Sequence, residues 1–147
     1  MGIGEKISHI TFLFHFPIKV GEVNSERVHS IRQYHLLRLL KEAEALDVKT
    51  ISKRLGQAQN TSSEMVWRMV EKGLLISERD PDDRRRTIVK LTEKGREELF
   101  KMEKEIDNAF EAFCERFLSD DDKEKFYRCS DELFNLAKKV IKRLEGK

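Results

Sequence analysis

Gln59, Asn60 and Ser63 open one predicted helix and carry side chains suited to reading flat, hydrogen-bonding edges. An Asn or Gln amide can bond adenine bidentately, and a Ser hydroxyl can donate or accept. A helix that presents such groups in its first turns suits a DNA major groove, which is read by helix N-terminal residues. Further along, Arg79-Asp80-Pro81-Asp82-Asp83-Arg84-Arg85-Arg86 combines turn chemistry with concentrated charge. Within it, Asp83 can hold the Arg85 guanidinium in place while that arginine enters a minor groove. Each feature has a plain counterpart. The first is an ordinary polar helix face, and the second a solvated hairpin whose surface ion pairs are worth little.

The elements that must position these groups follow from caps and periodicity. Ser30-Ile31-Arg32-Gln33 reads as a capping box, and Ile31, Leu36, Leu37 and Leu40 then predict a helix to about Ala45. Asp47 caps a short helix, Val48 to Leu55, that stops at Gly56. Gln57-Ala58 makes the turn into a helix from Gln59 to about Lys72, ended by Gly73. On a helical projection Ser62, Met65 and Met69 share one side. Asn60, Ser63, Glu64 and Trp67 fall opposite, with Gln59 at the leading edge.

Two apolar runs, Leu74-Leu75-Ile76 and Thr87-Ile88-Val89-Lys90-Leu91, then predict a β-hairpin with the charged segment as its tip. Thr92 caps a long helix whose stripe is Leu99, Met102, Ile106, Phe110, Phe113 and Phe117. Ser119 caps another, with Phe126, Leu133, Ala137, Val140 and Leu144 on one side. At the N-terminus Ile3, Ile7, Ile10 and Phe14 predict a greasy helix from about Gly4 to His15, limited by Pro17. The expected architecture is mostly α: a winged helix-turn-helix with a small β-hairpin wing and long terminal helices.

Composition narrows the function. A chain of 147 residues makes one domain, or one domain with an arm, and 38% charged residues with 7 Gly and 2 Pro suggest long, charge-laced helices. With 29 basic and 27 acidic residues, a positive surface must come from local segregation. The two cysteines, Cys114 and Cys129, form no CxxC motif and read as inert packing on helix flanks. His9, His15, His29 and His35 make no carboxylate–His cluster with metal-ligand spacing, so neither metal nor cofactor is expected. No catalytic set emerges, and an enzyme is not expected. The apolar stretch Ile10–Phe16 is too short to cross a bilayer and lacks a cleavage site, which points to a cytoplasmic protein without membrane association. Trp67, an indole on the polar helix face, calls for a partner: neighbouring protein or the DNA backbone.

The run from Leu74 to Gly95 resembles the wing of the MarR family of transcriptional regulators. The family's Asp-x-Arg followed by Leu-Thr matches Asp83, Arg85, Leu91 and Thr92, while Glu71-Lys72-Gly73-Leu74 and the Ser30-x-x-Gln33 cap match in order and spacing. The resemblance covers about Ser30 to Leu99 closely, and the C-terminal helices only in length and amphipathicity. It implies a transcriptional regulator, typically a repressor, that binds a pseudo-palindromic operator on double-stranded DNA as a homodimer. It also implies modulation by a small apolar or aromatic effector. The corresponding division is an arm for dimerisation over 1–29, the DNA-binding winged helix over 30–95 and dimerisation helices over 96–147. The DNA-binding residues would be Gln59, Asn60, Ser63, Glu64 and Arg68 on the recognition helix, with Arg68 at a phosphate-contacting position. Asp83, Arg84, Arg85 and Arg86 would serve the wing.

The sequence departs from the family pattern in places. Glu64 stands where a basic or neutral residue is common; it can accept from cytosine N4 or face solvent. Ser62 and Gln57 occupy usually apolar positions, and no reactive cysteine lies near the N-terminus. Two rival readings remain: a chromatin-like protein binding DNA without sequence preference, and a winged-helix adaptor whose wing meets an acidic protein.

Overall fold

The computed structural model describes residues 2–6, 8 and 30–145. Most of the expected N-terminal helix over 4–15 lies outside them, although residues 3–6 and 8 are helical. From Ser30 the order is α1 (Ser30–Ala43), β1 (Ala45–Asp47), α2 (Val48–Leu55), α3 (Gln59–Glu71), β2 (Leu75–Arg79), β3 (Thr87–Leu91), α4 (Glu93–Phe117) and α5 (Asp120–Glu145). The chain divides into two compact units, and the boundary falls within α4, between Ile106 and Asp107.

The sheet corrects the sequence reading. A third strand, β1, follows α1, which ends at Ala43 rather than near Ala45. Glu44 makes the break in a left-handed conformation, φ 62°, which costs a non-glycine residue some strain. Strand order is β1-β3-β2, with both pairings antiparallel. Leu46 lies opposite Val89, and Leu75 opposite Leu91. Opposed residues share a face, so these four side chains form the sheet's inner surface. The wing is therefore anchored by a strand from before the helix-turn-helix as well as by its own hairpin.

The helix-turn-helix forms as its caps dictate. The Asp47 carboxylate accepts from the Thr50 N–H at 2.8 Å, starting α2. Gly56, at φ 62°, ends it in the left-handed region that favours glycine. In α3 the buried side chains are Ser62, Met65, Val66 and Met69, as the projection requires. They pack with Leu36, Leu37 and Leu40 of α1, Ile51 of α2, Leu74, Leu75, Val89, Leu91 and Leu99. Ser62 Oγ and Gln57 Oε1 are buried without a hydrogen-bond partner. The two departures at apolar positions thus leave unsatisfied polar atoms in and beside the turn.

The run Leu91-Thr92-Glu93-Lys94-Gly95 ties the start of α4 to the end of α3. The Thr92 hydroxyl donates to Gly73 O (2.7 Å) and accepts from the Gly95 N–H (3.0 Å). The Thr92 N–H donates to Leu74 O (3.1 Å), and Lys94 Nζ to Lys72 O (2.7 Å). Three successive carbonyls beyond α3 are therefore satisfied by residues at the start of α4. Gly95 permits the approach, because a Cβ there would stand 2.1 Å from Leu74 O.

In the second unit, Ser119 Oγ accepts from the Asp122 N–H and caps α5. Asp120, Asp121 and Asp122 occupy the first turn and Lys142 and Arg143 the last, complementing the helix dipole. Lys123 bridges Glu115 (2.9 Å) and Asp120 (2.8 Å), which holds its ammonium well above the ordinary lysine range. Cys114 is buried and hydrogen-bonded to the Tyr127 hydroxyl, and burial raises its thiol pKa. Cys129 is exposed rather than packed. Leu133, Phe134, Leu136, Val140 and Ile141 of α5 are about half exposed, as is Phe117 at the end of α4.

Candidate nucleic-acid interface

The face of α3 away from the core carries Gln59, Asn60, Ser63, Glu64, Trp67 and Arg68, all exposed. The phase expected from sequence is therefore the observed one. The Ser63 hydroxyl donates to Gln59 O (2.9 Å), which leaves its lone pairs outward. Ala58 precedes the helix and makes no side-chain cap, so the first N–H groups of α3 are free of a side-chain acceptor.

At the tip of the wing, Asp83 Oδ1 accepts from both the Nε and the backbone N–H of Arg85, each at 3.1 Å. The Arg85 side-chain hydrogen bond is the chief cause holding the Asp83 carboxyl below the ordinary carboxylate range. The arginine side chain remains 91% exposed, so it is steered without being covered. Arg79 Nη1 donates to Arg84 O (3.2 Å), the Asp82 N–H to Asp80 Oδ1 (2.9 Å) and the Arg86 N–H to Asp83 O (2.8 Å). The tip is thus a built turn.

Arg86 is placed differently from Arg85. Its guanidinium lies 2.8 Å from Asp47 Oδ2 and 3.4 Å from Asp80 Oδ2. Asp47 in turn accepts from both the backbone and the hydroxyl of Thr50. Burial works to raise the Asp47 carboxyl, but the Thr50 N–H, Arg86 and the Thr50 hydroxyl together hold it below its ordinary value. One carboxylate therefore starts α2 and holds the wing to it through Arg86, whose side chain stays half exposed.

An open cleft of about 650 Å³ joins the start of α2, the start of α3 and the wing. It gathers Gln59, Ser63, Asp83, Arg85 and Arg86. Asn60, Glu64, Arg68 and Arg84 lie outside its lining. It also gathers Lys49, Thr50 and Lys53, which the sequence reading did not single out. Their signal was present: Lys49 and Lys53 are four apart and share one face of α2. Two lysines and Arg85 beside amide and hydroxyl groups make a surface suited to a polyanion with readable edges.

Residues 30–87 match the model of the MarR family. The matched segment is similar to that family. The fold of the chain is similar to solved MarR-family structures. The PcaV transcriptional regulator from Streptomyces coelicolor, solved with its natural ligand, is 24% identical over 93% of this chain and 94% of that one, with a TM-score of 0.57. Wild-type MarR from E. coli, in its apo form, is 17% identical over 90% and 96%, with a TM-score of 0.72. NadR in complex with 4-hydroxyphenylacetate is 23% identical over 93% and 90%, with a TM-score of 0.53. No curated protein matches the chain significantly. The matched residues run through the helix-turn-helix, β2 and the tip of the wing to the first residue of β3, and include the residues that line the cleft. Among the described residues no helix is long and apolar enough to cross a membrane.

Proposed function

We propose that the protein is a transcriptional regulator that binds a pseudo-palindromic operator as a homodimer, acting as a repressor relieved by a small effector. The carrying observation is Arg85, steered by Asp83 yet exposed, across a cationic cleft from the polar start of α3. Gln59, Asn60 and Ser63 would read base edges, with Glu64 available to cytosine N4; Arg68, Lys49 and Lys53 would meet phosphates. Arg85, with Arg84 beside it, would enter the neighbouring minor groove. Arg86 positions the wing through Asp47. The half-exposed apolar side chains of α5 supply a surface for a second copy, and two copies would double the contacts at half-sites about 10 base pairs apart. An aromatic acid is the effector class supported by NadR, which was solved with 4-hydroxyphenylacetate.

Selection of bound fragments from the source genome supplies the operator. Arg85→Ala, Asp83→Ala and Asn60→Ala are then titrated against operator and scrambled DNA at two salt concentrations. Arg85→Ala should weaken both by similar factors, on the order of tenfold, and lower the salt slope by about one per monomer. Asp83→Ala should also weaken binding despite removing a negative charge, because Arg85 loses its guide. Asn60→Ala should change the preferred half-site base. Equal affinity for operator and scrambled DNA would favour chromatin-like binding. Absence of any salt-dependent DNA binding would favour the adaptor.

A further inference from the structure

Trp67 is the chain's single tryptophan, and its indole is 63% exposed on the recognition helix. The other large apolar side chains around it in α3 point inward: Met65, Val66 and Met69 are buried. Among the described residues no ring or cation packs against the indole. Seven residues separate Trp67 from Asn60, which is nearly two turns and leaves the two within about 20° of each other on the helix surface. Trp67 therefore continues the line of Asn60, on the side of α3 opposite the core. Asn60, Ser63, Glu64 and Trp67 form one outward ridge.

The charges around the indole decide which part of a duplex it can meet. Glu64 and Glu71 flank it at three residues before and four after, and both are exposed. Carboxylates on either side of the indole repel phosphate along the ridge itself, whereas Arg68, the next residue, is turned about 100° away and can meet phosphate beside it. The cations Lys49, Lys53 and Arg85 lie instead around the cleft to one side. On base edges the balance differs, since a carboxylate accepts from cytosine N4 and an apolar side chain packs on the thymine C5-methyl, the one apolar group in the major groove.

The geometry points to Trp67 as a specificity-determining residue that recognises a thymine methyl in the major groove. This inference rests on the DNA-binding reading above. At 1.5 Å of rise per residue, Trp67 lies about 10 Å along the helix from Asn60, so its thymine belongs to the same half-site as the base that Asn60 contacts, and is a different base pair.

The test uses the full-length protein and its selected operator, with each thymine of a half-site replaced singly by deoxyuridine, which deletes only the methyl. For the parent, one position per half-site should cost about three- to fivefold in affinity, the worth of one buried methyl. Trp67→Ala should bind thymine and uracil versions equally at that position, while Trp67→Phe retains part of the preference. Because there is one tryptophan, its emission should shift to the blue on operator binding. Circular dichroism of Trp67→Ala should match the parent, since the side chain supports no core. The proposal is overturned if no position distinguishes thymine from uracil, or if Trp67→Ala discriminates as well as the parent. It is equally overturned if Trp67→Ala alters oligomeric state with methyl sensitivity intact, which would assign the indole to a protein contact. A parent that binds operator with a salt dependence but ignores the methyls sinks this inference alone. A parent that binds no DNA sinks the functional reading with it.

Discussion

Gly95→Ala sets two physical effects against each other, and the structure decides the sign. Gly95 sits in the first turn of α4, where helix propensity alone makes Ala better by about 1 kcal/mol. An alanine Cβ would stand 2.1 Å from Leu74 O and 3.1 Å from Leu91 Cδ2. Carbon and carbonyl oxygen approach to about 3.3 Å at closest, so roughly 1 Å must open. Leu74 cannot yield freely: its carbonyl accepts from Thr92 and its N–H donates to Met69 O. Overpacking of this kind costs about 1–3 kcal/mol, and weakening the Thr92 bond adds about 1 kcal/mol. Against the propensity gain, the net loss is about 1–3 kcal/mol. For a chain of this size that lowers Tm by about 3–10 °C. Thermal melts followed by circular dichroism, repeated in urea, measure it. An unchanged or raised Tm would refute the reasoning and show that the seam between α3 and α4 is slack.

Ser62→Ala should raise stability by about 1 kcal/mol in urea titrations, because it deletes a buried hydroxyl that has no partner. The Asp47 carboxyl is held below its ordinary value, so its stabilisation is complete above about pH 3.9 and lost as pH falls further. Asp47→Asn should therefore be less stable than the parent near neutrality, with the gap in Tm narrowing below that pH. Leu133→Glu with Val140→Glu places charge on the exposed face of α5; sedimentation should show monomers, and operator affinity should fall at least tenfold. An unchanged dimer would remove α5 from the interface.

Much of the fold was legible because its boundaries are set locally. Asp47, Thr92 and Ser119 each cap the helix they precede, and Gly56 and Gly73 take the left-handed conformations that their positions call for. The inward and outward faces of α3 followed from period alone. Strand β1 did not, since three residues carry too little pattern, and the turn before it uses a glutamate where glycine would have signalled the break. The pairing of Arg86 with Asp47 is not legible either, because the two are remote in sequence. Lys49 and Lys53 share a helix face that spacing alone shows, but their importance comes from the cleft that the wing completes. Cys129 shows the opposite failure: its helix is amphipathic, but the thiol lies on the exposed side.

The central position of β3 also bears on how the protein is made. β1 and β2 both pair with β3, the last of the three strands to be synthesised, and β1 waits about forty residues for its partner. A chain emerging from the ribosome would therefore complete α1, α2 and α3 before any of the sheet could close. Until Leu91 is clear of the exit tunnel, Leu46 has no Val89 opposite it and Asp47 has no Arg86. Such long-range pairing slows folding, because the closure entropy must be met before the contacts form. The nascent helix-turn-helix would accordingly gain its rigid form in one late step, and messages truncated within the wing would yield chains that chaperones and proteases can still engage.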